Sequence, residues 1–214
     1  MSYATEHQEP QMPFVDSVQH NAVYMLQRVV IEGEVYNIFY DSGAGDFVSR
    51  HSAIQRLSKL AYQTMMGPLI MRGVGDIVVK APHGMYGVTL PLADGGSISM
   101  NGMCLETLTE TFPEYQLKDR IEKDIQQSYQ KAGGYLHDLP ILSEVVGGDT
   151  DMMIGSKYRC IYPIEIFRLP SGLSICQSFF KNVDGSRGVI CGPHEVIDLI
   201  DKTYNHQAST FLTQ

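Results

Sequence analysis

Two apolar runs, Val23 to Ile31 and Val35 to Tyr40, are separated only by Glu32-Gly33-Glu34, and no other feature constrains the fold as tightly. Both runs are rich in β-branched and aromatic residues, which suit a pleated, half-buried surface. A short polar link containing glycine leaves room for little but a chain reversal. The pair therefore predicts an antiparallel β-hairpin. Its second strand runs into Tyr40-Asp41-Ser42-Gly43-Ala44, so an acidic side chain is delivered where a buried strand gives way to a loop.

The same alternation of short apolar runs and turn residues continues along most of the chain. Ile54, Leu57 and Leu60 have helical spacing within Ser49 to Leu60, which predicts a short helix after the loop. Leu69-Ile70-Met71 and Ile77-Val78-Val79 are strand-like and flank Arg72-Gly73-Val74-Gly75-Asp76; a further strand-like run, Met85 to Leu92, ends at the turn cluster Asp94-Gly95-Gly96-Ser97. Pro113 to Lys131 differs in kind. Leu117, Ile121, Ile125 and Tyr129 recur every four residues among charges, predicting an amphipathic helix closed by Gly133-Gly134. Beyond it come the apolar run Met152-Met153-Ile154-Gly155 and then strands around Ile164 to Leu169, Leu173 to Phe180 and Gly188 to Cys191, broken by Pro170-Ser171-Gly172 and Asn182-Val183-Asp184-Gly185. The expectation is a mainly β domain over 20–200 with one helical insertion at about 113–134, between flexible tails at 1–19 and 201–214.

Composition narrows the function classes. The chain has 214 residues, 43% of them hydrophobic, enough for one domain with a substantial core. A formal net charge of -8 offers no attraction to nucleic acid or to anionic membranes. No run of apolar residues has the length of a membrane span, and the N-terminal residues lack signal-peptide character, so a cytoplasmic protein is expected. Cys104, Cys160, Cys176 and Cys191 form no C-x-x-C pair and are expected as free, mostly buried thiols. The seven histidines show no metal-ligand spacing, and neither metal nor cofactor is expected. His194 in Pro193-His194-Glu195 has no serine or cysteine elbow to partner it and is read as structural.

Asp, Ser and Gly are all turn formers, so Asp41-Ser42-Gly43 alone fits an ordinary turn. Its setting adds weight. It follows a buried-type strand, precedes the small Ala44, and is succeeded about thirty residues on by the glycine-containing hairpin, then by Met153-Ile154-Gly155. In that order these elements resemble those of the retropepsin-type aspartic proteases. The chain is most similar to the peptidase domain of Pao/BEL-type retrotransposon polyproteins, over about residues 23 to 197, on Tyr40 to Asp46, Gly147 to Tyr158 and Leu169-Pro170-Ser171-Gly172-Leu173.

The resemblance implies a closed β-barrel of the acid-protease fold with Asp41 as the catalytic carboxylate. Ser42 would bond across to a partner loop, and Ala44 would leave space for substrate backbone. Arg72, Gly73, Val74, Gly75 and Asp76 would form the tip of a mobile flap. Met153, Ile154 and Gly155 would cross beneath the active-site loop. From the residues themselves, Gly43 permits a tight turn beside the carboxylate, the glycines at 73 and 75 also fit an ordinary turn, and Met153-Ile154-Gly155 also fits the end of a core strand. Peptide hydrolysis of this kind needs two carboxylates sharing one proton. The chain supplies one triplet: Asp149-Thr150-Asp151 lacks the following glycine, and Asp184-Gly185-Ser186 has the wrong order. A homodimer would therefore be required, acting on an extended polypeptide.

Viral members of the family carry an arginine after the glycine, where this chain has Ser156-Lys157. The helical insertion is favoured as a surface decoration over a substrate-selecting lid. Phe14-Val15 and Phe211-Leu212 have the apolar character of self-processing sites. The alternative is a domesticated, catalytically silent fold serving as a dimerisation or peptide-binding module.

Overall fold

The computed structural model describes residues 23–72, 78–108, 111–116, 119–143, 145–170 and 172–193. The tails, the hairpin tip Gly73 to Asp76, Leu117 and His194 lie outside the described residues, as do Phe14-Val15 and Phe211-Leu212.

The fold is mainly β. Strands β1 (Val23–Ile31) and β2 (Glu34–Asp41) form the expected hairpin, in unbroken antiparallel register from Met25 opposite Tyr40 to Ile31 opposite Glu34. Both central residues of its turn are left-handed, Glu32 at φ 52° and Gly33 at φ 84°, a backbone twist that matches the flanking strands. Then follow β3 (Phe47–Arg50), the short helix α1 (His51–Arg56), β4 (Ala61–Met65), β5 (Leu69–Arg72), β6 (Val78–Ala81), β7 (Met85–Pro91) and β8 (Ser97–Leu105). The second half carries β9 (Thr111–Gln116), helix α2 (Asp119–Lys131), β10 (Val145–Asp149), β11 (Met152–Gly155), β12 (Ile164–Arg168), β13 (Ser174–Gln177) and β14 (Gly188–Pro193).

Among the described residues, ten strands make one mixed sheet in the order β12-β13-β14-β1-β2-β11-β3-β8-β7-β4, while β5 pairs only with β6 and β9 only with β10. Among the described residues the expected closed barrel is not found: the ladder is open, with β12 and β4 at its ends. Both terminal strands carry a register shift, between Glu165 and Phe167 and between Gln63 and Met65, and such bulges bend an edge away from further pairing. The sheet nevertheless curls. Ala93 N beyond β7 donates to Phe179 O beyond β13 at 2.7 Å, so its two arms meet without forming a common ladder. Inside the curl lie Val29, Tyr36, Ile38, Tyr40, Phe47, Val88, Leu90, Met100, Met152, Ile154 and Phe180, in one packed core. Each such large apolar side chain contributes about 1.5–3 kcal/mol relative to exposure.

The inserted helix is shorter than its amphipathic pattern. It starts at Asp119, and Thr111–Gln116 is a strand whose Val145↔Gln116 and Val146↔Tyr115 pairs were invisible to a local reading. Its end is as expected: Gly133, at φ 90°, donates to Gln130 O and Gly134 N to Tyr129 O, closing the last turn. The helix packs as a layer outside the sheet, with Ile125 against Leu142 and Ile175 and bordered by Ile190 and Leu169.

Candidate active site

Asp41 is the last residue of β2. Strand β11 runs parallel to β2, with Ile154 opposite Tyr40 and Gly155 opposite Asp41, and antiparallel to β3 on its other side. It is thus inserted between two strands that are consecutive in sequence, and residues 42–46, which join them, must pass over its end. Gly155 makes this crossing possible. A Cβ there would lie 2.8 Å from both Ala44 O and Asp46 N and closer still to the Asp46 carbonyl oxygen. The loop is then fastened from below. Ala44 O accepts from Ser156 N at 2.8 Å and from Ser156 Oγ at 3.0 Å, Gly45 O accepts from Lys157 N at 3.1 Å, and Lys157 Nζ pairs with Asp46 at 2.9 Å.

Within the loop, Gly43 N donates to Asp41 Oδ1 at 2.8 Å and Ala44 N donates to Asp41 O at 3.2 Å, which fixes the carboxylate against its own turn. Asp41 is half-buried, while Ser42 and Gly43 are exposed. The strand behind is anchored by a buried polar network. Tyr40 Oη and Ser178 Oγ both donate to Gln27 Oε1, at 2.8 and 2.7 Å, and Gln27 Nε2 donates to Asn182 Oδ1 at 2.8 Å. A residue that no sequence pattern singled out completes the support. Tyr162 packs its ring edge-on to Tyr40 at 5.5 Å and donates its hydroxyl to Ile154 O at 2.8 Å. Burial, and after it the negative charge of Asp41, pushes the Tyr162 hydroxyl up to about 12. Tyr158, the last residue of the Gly147 to Tyr158 segment, ties the chain after Gly155 to β8 by donating to Asn101 O at 3.1 Å and accepting from Asn101 N at 2.9 Å.

Asp151 and Asp184, from the two segments set aside as second triplets, stand elsewhere. Asp151 Oδ2 accepts from Asn37 N at 2.9 Å and its Oδ1 from Arg56 at 2.7 Å. Asn37 lies four residues back along β2 from Asp41, roughly 13 Å at the rise of a strand. Asp184 caps its own turn through Ser186 N at 2.9 Å. Asp46 is held by Lys157.

The hairpin proposed as a flap is present as β5 and β6, paired from Leu69 opposite Ala81 to Arg72 opposite Val78. The Arg72 side chain lies outside the described residues together with Gly73, Val74, Gly75 and Asp76. The hairpin and its approach expose apolar side chains, with Met66 at 78% and Ile70 at 69% accessible. It joins the body through a narrow neck, where a Cβ on Gly67 would lie 2.6 Å from Gly84 N and one on Gly84 2.6 Å from Gly67 N.

Cys104, Cys176 and Cys191 are buried, Cys160 is exposed, and all four are free thiols. Among the described residues no cluster of three or more His, Cys, Asp or Glu side chains is arranged to hold a metal ion, and no helix is long and apolar enough to cross a membrane. Comparison of the chain with protein-family models, curated proteins and solved structures gives no match.

Proposed function

We propose that the protein is an aspartic endopeptidase of retropepsin type, active as a homodimer on an extended polypeptide such as a retroelement polyprotein. The observation that carries this reading is the crossing itself: a half-buried Asp41 at the end of a core strand, its loop held over Gly155 and its carboxylate oriented by Gly43 N–H. One carboxylate per chain is insufficient for the chemistry, and among the described residues Asp46, Asp151 and Asp184 are engaged elsewhere, so in this reading the second comes from Asp41 of another copy across a two-fold axis. Two like charges brought together share one proton. The ionised member takes a proton from water, whose oxygen attacks the peptide carbonyl carbon. The protonated member donates a hydrogen bond to the carbonyl oxygen, and the proton then passes to the departing amine nitrogen. In this reading the β5–β6 hairpin lies over the substrate, and its exposed Ile70 and Met71 meet apolar side chains.

One observation favours a second reading, a silent dimerisation or peptide-binding module. Lys157, beside the position where the viral enzymes place an interface arginine, pairs with Asp46 of its own chain. A peptidase assay at acidic pH on an apolar peptide library, run with sedimentation analysis, separates the two. Hydrolysis by the dimer, reduced at least about 10²-fold in Asp41→Asn, supports the peptidase. Hydrolysis unchanged by that substitution removes Asp41 from the mechanism, and a well-formed dimer without hydrolysis supports the module.

A further inference from the structure

Strands β13, β14 and β1 carry a cluster of sulfur atoms that takes no part in the Asp41 site. Cys191 of β14 stands opposite Met25 of β1 on one side and Ser174 of β13 on the other, while Cys176 of β13 stands opposite Val189. Opposed residues of a ladder share a face, so Cys176, Cys191 and Met25 all project to the same side of the sheet. The alternate residues Ile175 and Ile190 project to the other side, against Ile125 of α2. The three sulfur-bearing side chains and Val189 pack as one cluster, in which both cysteines are buried and Met25 is half-buried. The Cys176 and Cys191 thiols are in hydrogen-bond contact with each other. Both are nevertheless free thiols, for a geometric reason. Diagonal neighbours on paired strands lie about 7–8 Å apart, wider than the roughly 4.4–6.8 Å that a disulfide usually spans between Cα atoms.

We propose that Cys176, Cys191 and Met25 form a binding site for a soft monovalent metal ion of the copper(I) class. An ion seated between two sulfur atoms holds them apart, so it tolerates the diagonal spacing that disfavours a disulfide. Thiolates and a thioether are the donors that select copper(I), and this ion accepts a low coordination number. Zinc requires a full tetrahedral set of Cys, His or carboxylate donors, and among the described residues no third side chain of those kinds joins the two cysteines in a metal-holding group. Calcium and magnesium require oxygen donors, which this face does not place beside the sulfurs as a set. On binding, each thiol loses its proton to solvent, two S–Cu bonds replace two S–H bonds, and copper keeps its oxidation state. The complex carries one negative charge. Arg168, paired with Glu165 at 2.7 Å, lies close enough to Cys176 for its charge to favour the thiolate, while the Glu165 carboxylate opposes it. Met25, the accessible member of the set, offers an incoming ion its first sulfur. The site does not depend on Asp41 being catalytic.

The test is anaerobic titration of the full chain with copper(I) against a chromophoric copper(I) chelator, with X-ray absorption at the copper edge and NMR of the methionine methyl groups. One copper ion per chain should be retained, in a shell of sulfur alone, and the Met25 methyl resonance should shift. Cys176→Ala and Cys191→Ala should each weaken binding at least about 100-fold, and Met25→Leu, which keeps the packing, about ten-fold. Cys160→Ser and Cys104→Ala alter the other two thiols and should leave the affinity within about two-fold. Loss of all copper to the chelator, a nitrogen or oxygen shell, an unmoved Met25 methyl, or undiminished affinity in folded Cys176→Ala or Cys191→Ala overturns the site. If the cysteine variants fail to fold, the absorption spectrum and the Met25 resonance of the wild type decide. None of these readouts uses peptidase activity, so failure of the metal site and failure of the peptidase reading are told apart.

Discussion

The Asp41 crossing and the β5–β6 hairpin lie on either side of β3, α1 and β4 in sequence, yet they are built on opposite principles. The crossing is fixed from every side: β11 is wedged between β2 and β3, a glycine with no room for a Cβ sits under the loop, and backbone bonds tie residues 44 and 45 to Ser156 and Lys157. The hairpin makes its own two-stranded sheet, exposes Ile70, Met71 and Val78, and is joined through the glycine neck and the stacking of His83 on His51. Precise placement of a carboxylate needs the first kind of construction. A segment that must admit and release a ligand needs the second, because its opening must not cost the stability of the core.

The contrast can be broken at its strongest point with Gly155→Ala. The added methyl meets backbone on the loop side, which cannot move without breaking the crossing, and a loss of about 3 kcal/mol is expected in urea unfolding. A loss confined to local fraying would show the crossing to be looser than its contacts imply. Next in size is Tyr162→Phe, which leaves the Ile154 carbonyl without its hydroxyl partner and should cost about 1 kcal/mol. The same residue gives the crossing a pH signature of its own. Because the Tyr162 hydroxyl is raised in the fold, its contribution is complete below the unfolded tyrosine value of about 10 and is lost as pH rises through about 12. Tyr40, raised further by burial, shares this alkaline loss. Urea midpoints from pH 9 to 11 should therefore fall less steeply in Tyr162→Phe than in the wild type, without becoming flat. The smallest effect belongs to the hairpin. Met66→Ser and Ile70→Ser, at exposed positions, should change global stability by no more than about 0.5 kcal/mol. A larger change would mean that the hairpin packs on the body in solution.

The contrast also separates what was legible in the sequence. The β1–β2 hairpin could be read because its partners are adjacent and its turn chemistry is local, and the glycine stop of α2 for the same reason. Strand β8 escaped notice although Met100, Gly102 and Cys104 point inward at every second position, because Ser, Asn and Met interrupt the β-branched composition that marks a strand. Gly102 lies so close to the Phe47 carbonyl that no side chain would fit. The start of α2 was misplaced because Leu117 and Ile121 extended a four-residue rhythm across a segment that instead pairs, as Thr111–Gln116, with β10. Tyr162 and the His51–His83 pair carried no local signal, since each matters only through a partner remote in sequence.

By itself the sequence determined a mainly β chain, a hairpin ending on Asp41, glycine-marked turns and one amphipathic helix, since propensity, alternation and turn geometry act between neighbours. Tertiary structure alone decided that the sheet curls without closing, that Gly155 lies opposite Asp41, and that two histidines stack at the hairpin neck. The reason is physical: strand order and close approach are set by which apolar faces exclude water together and where backbone can meet backbone, and both join residues far apart in the chain.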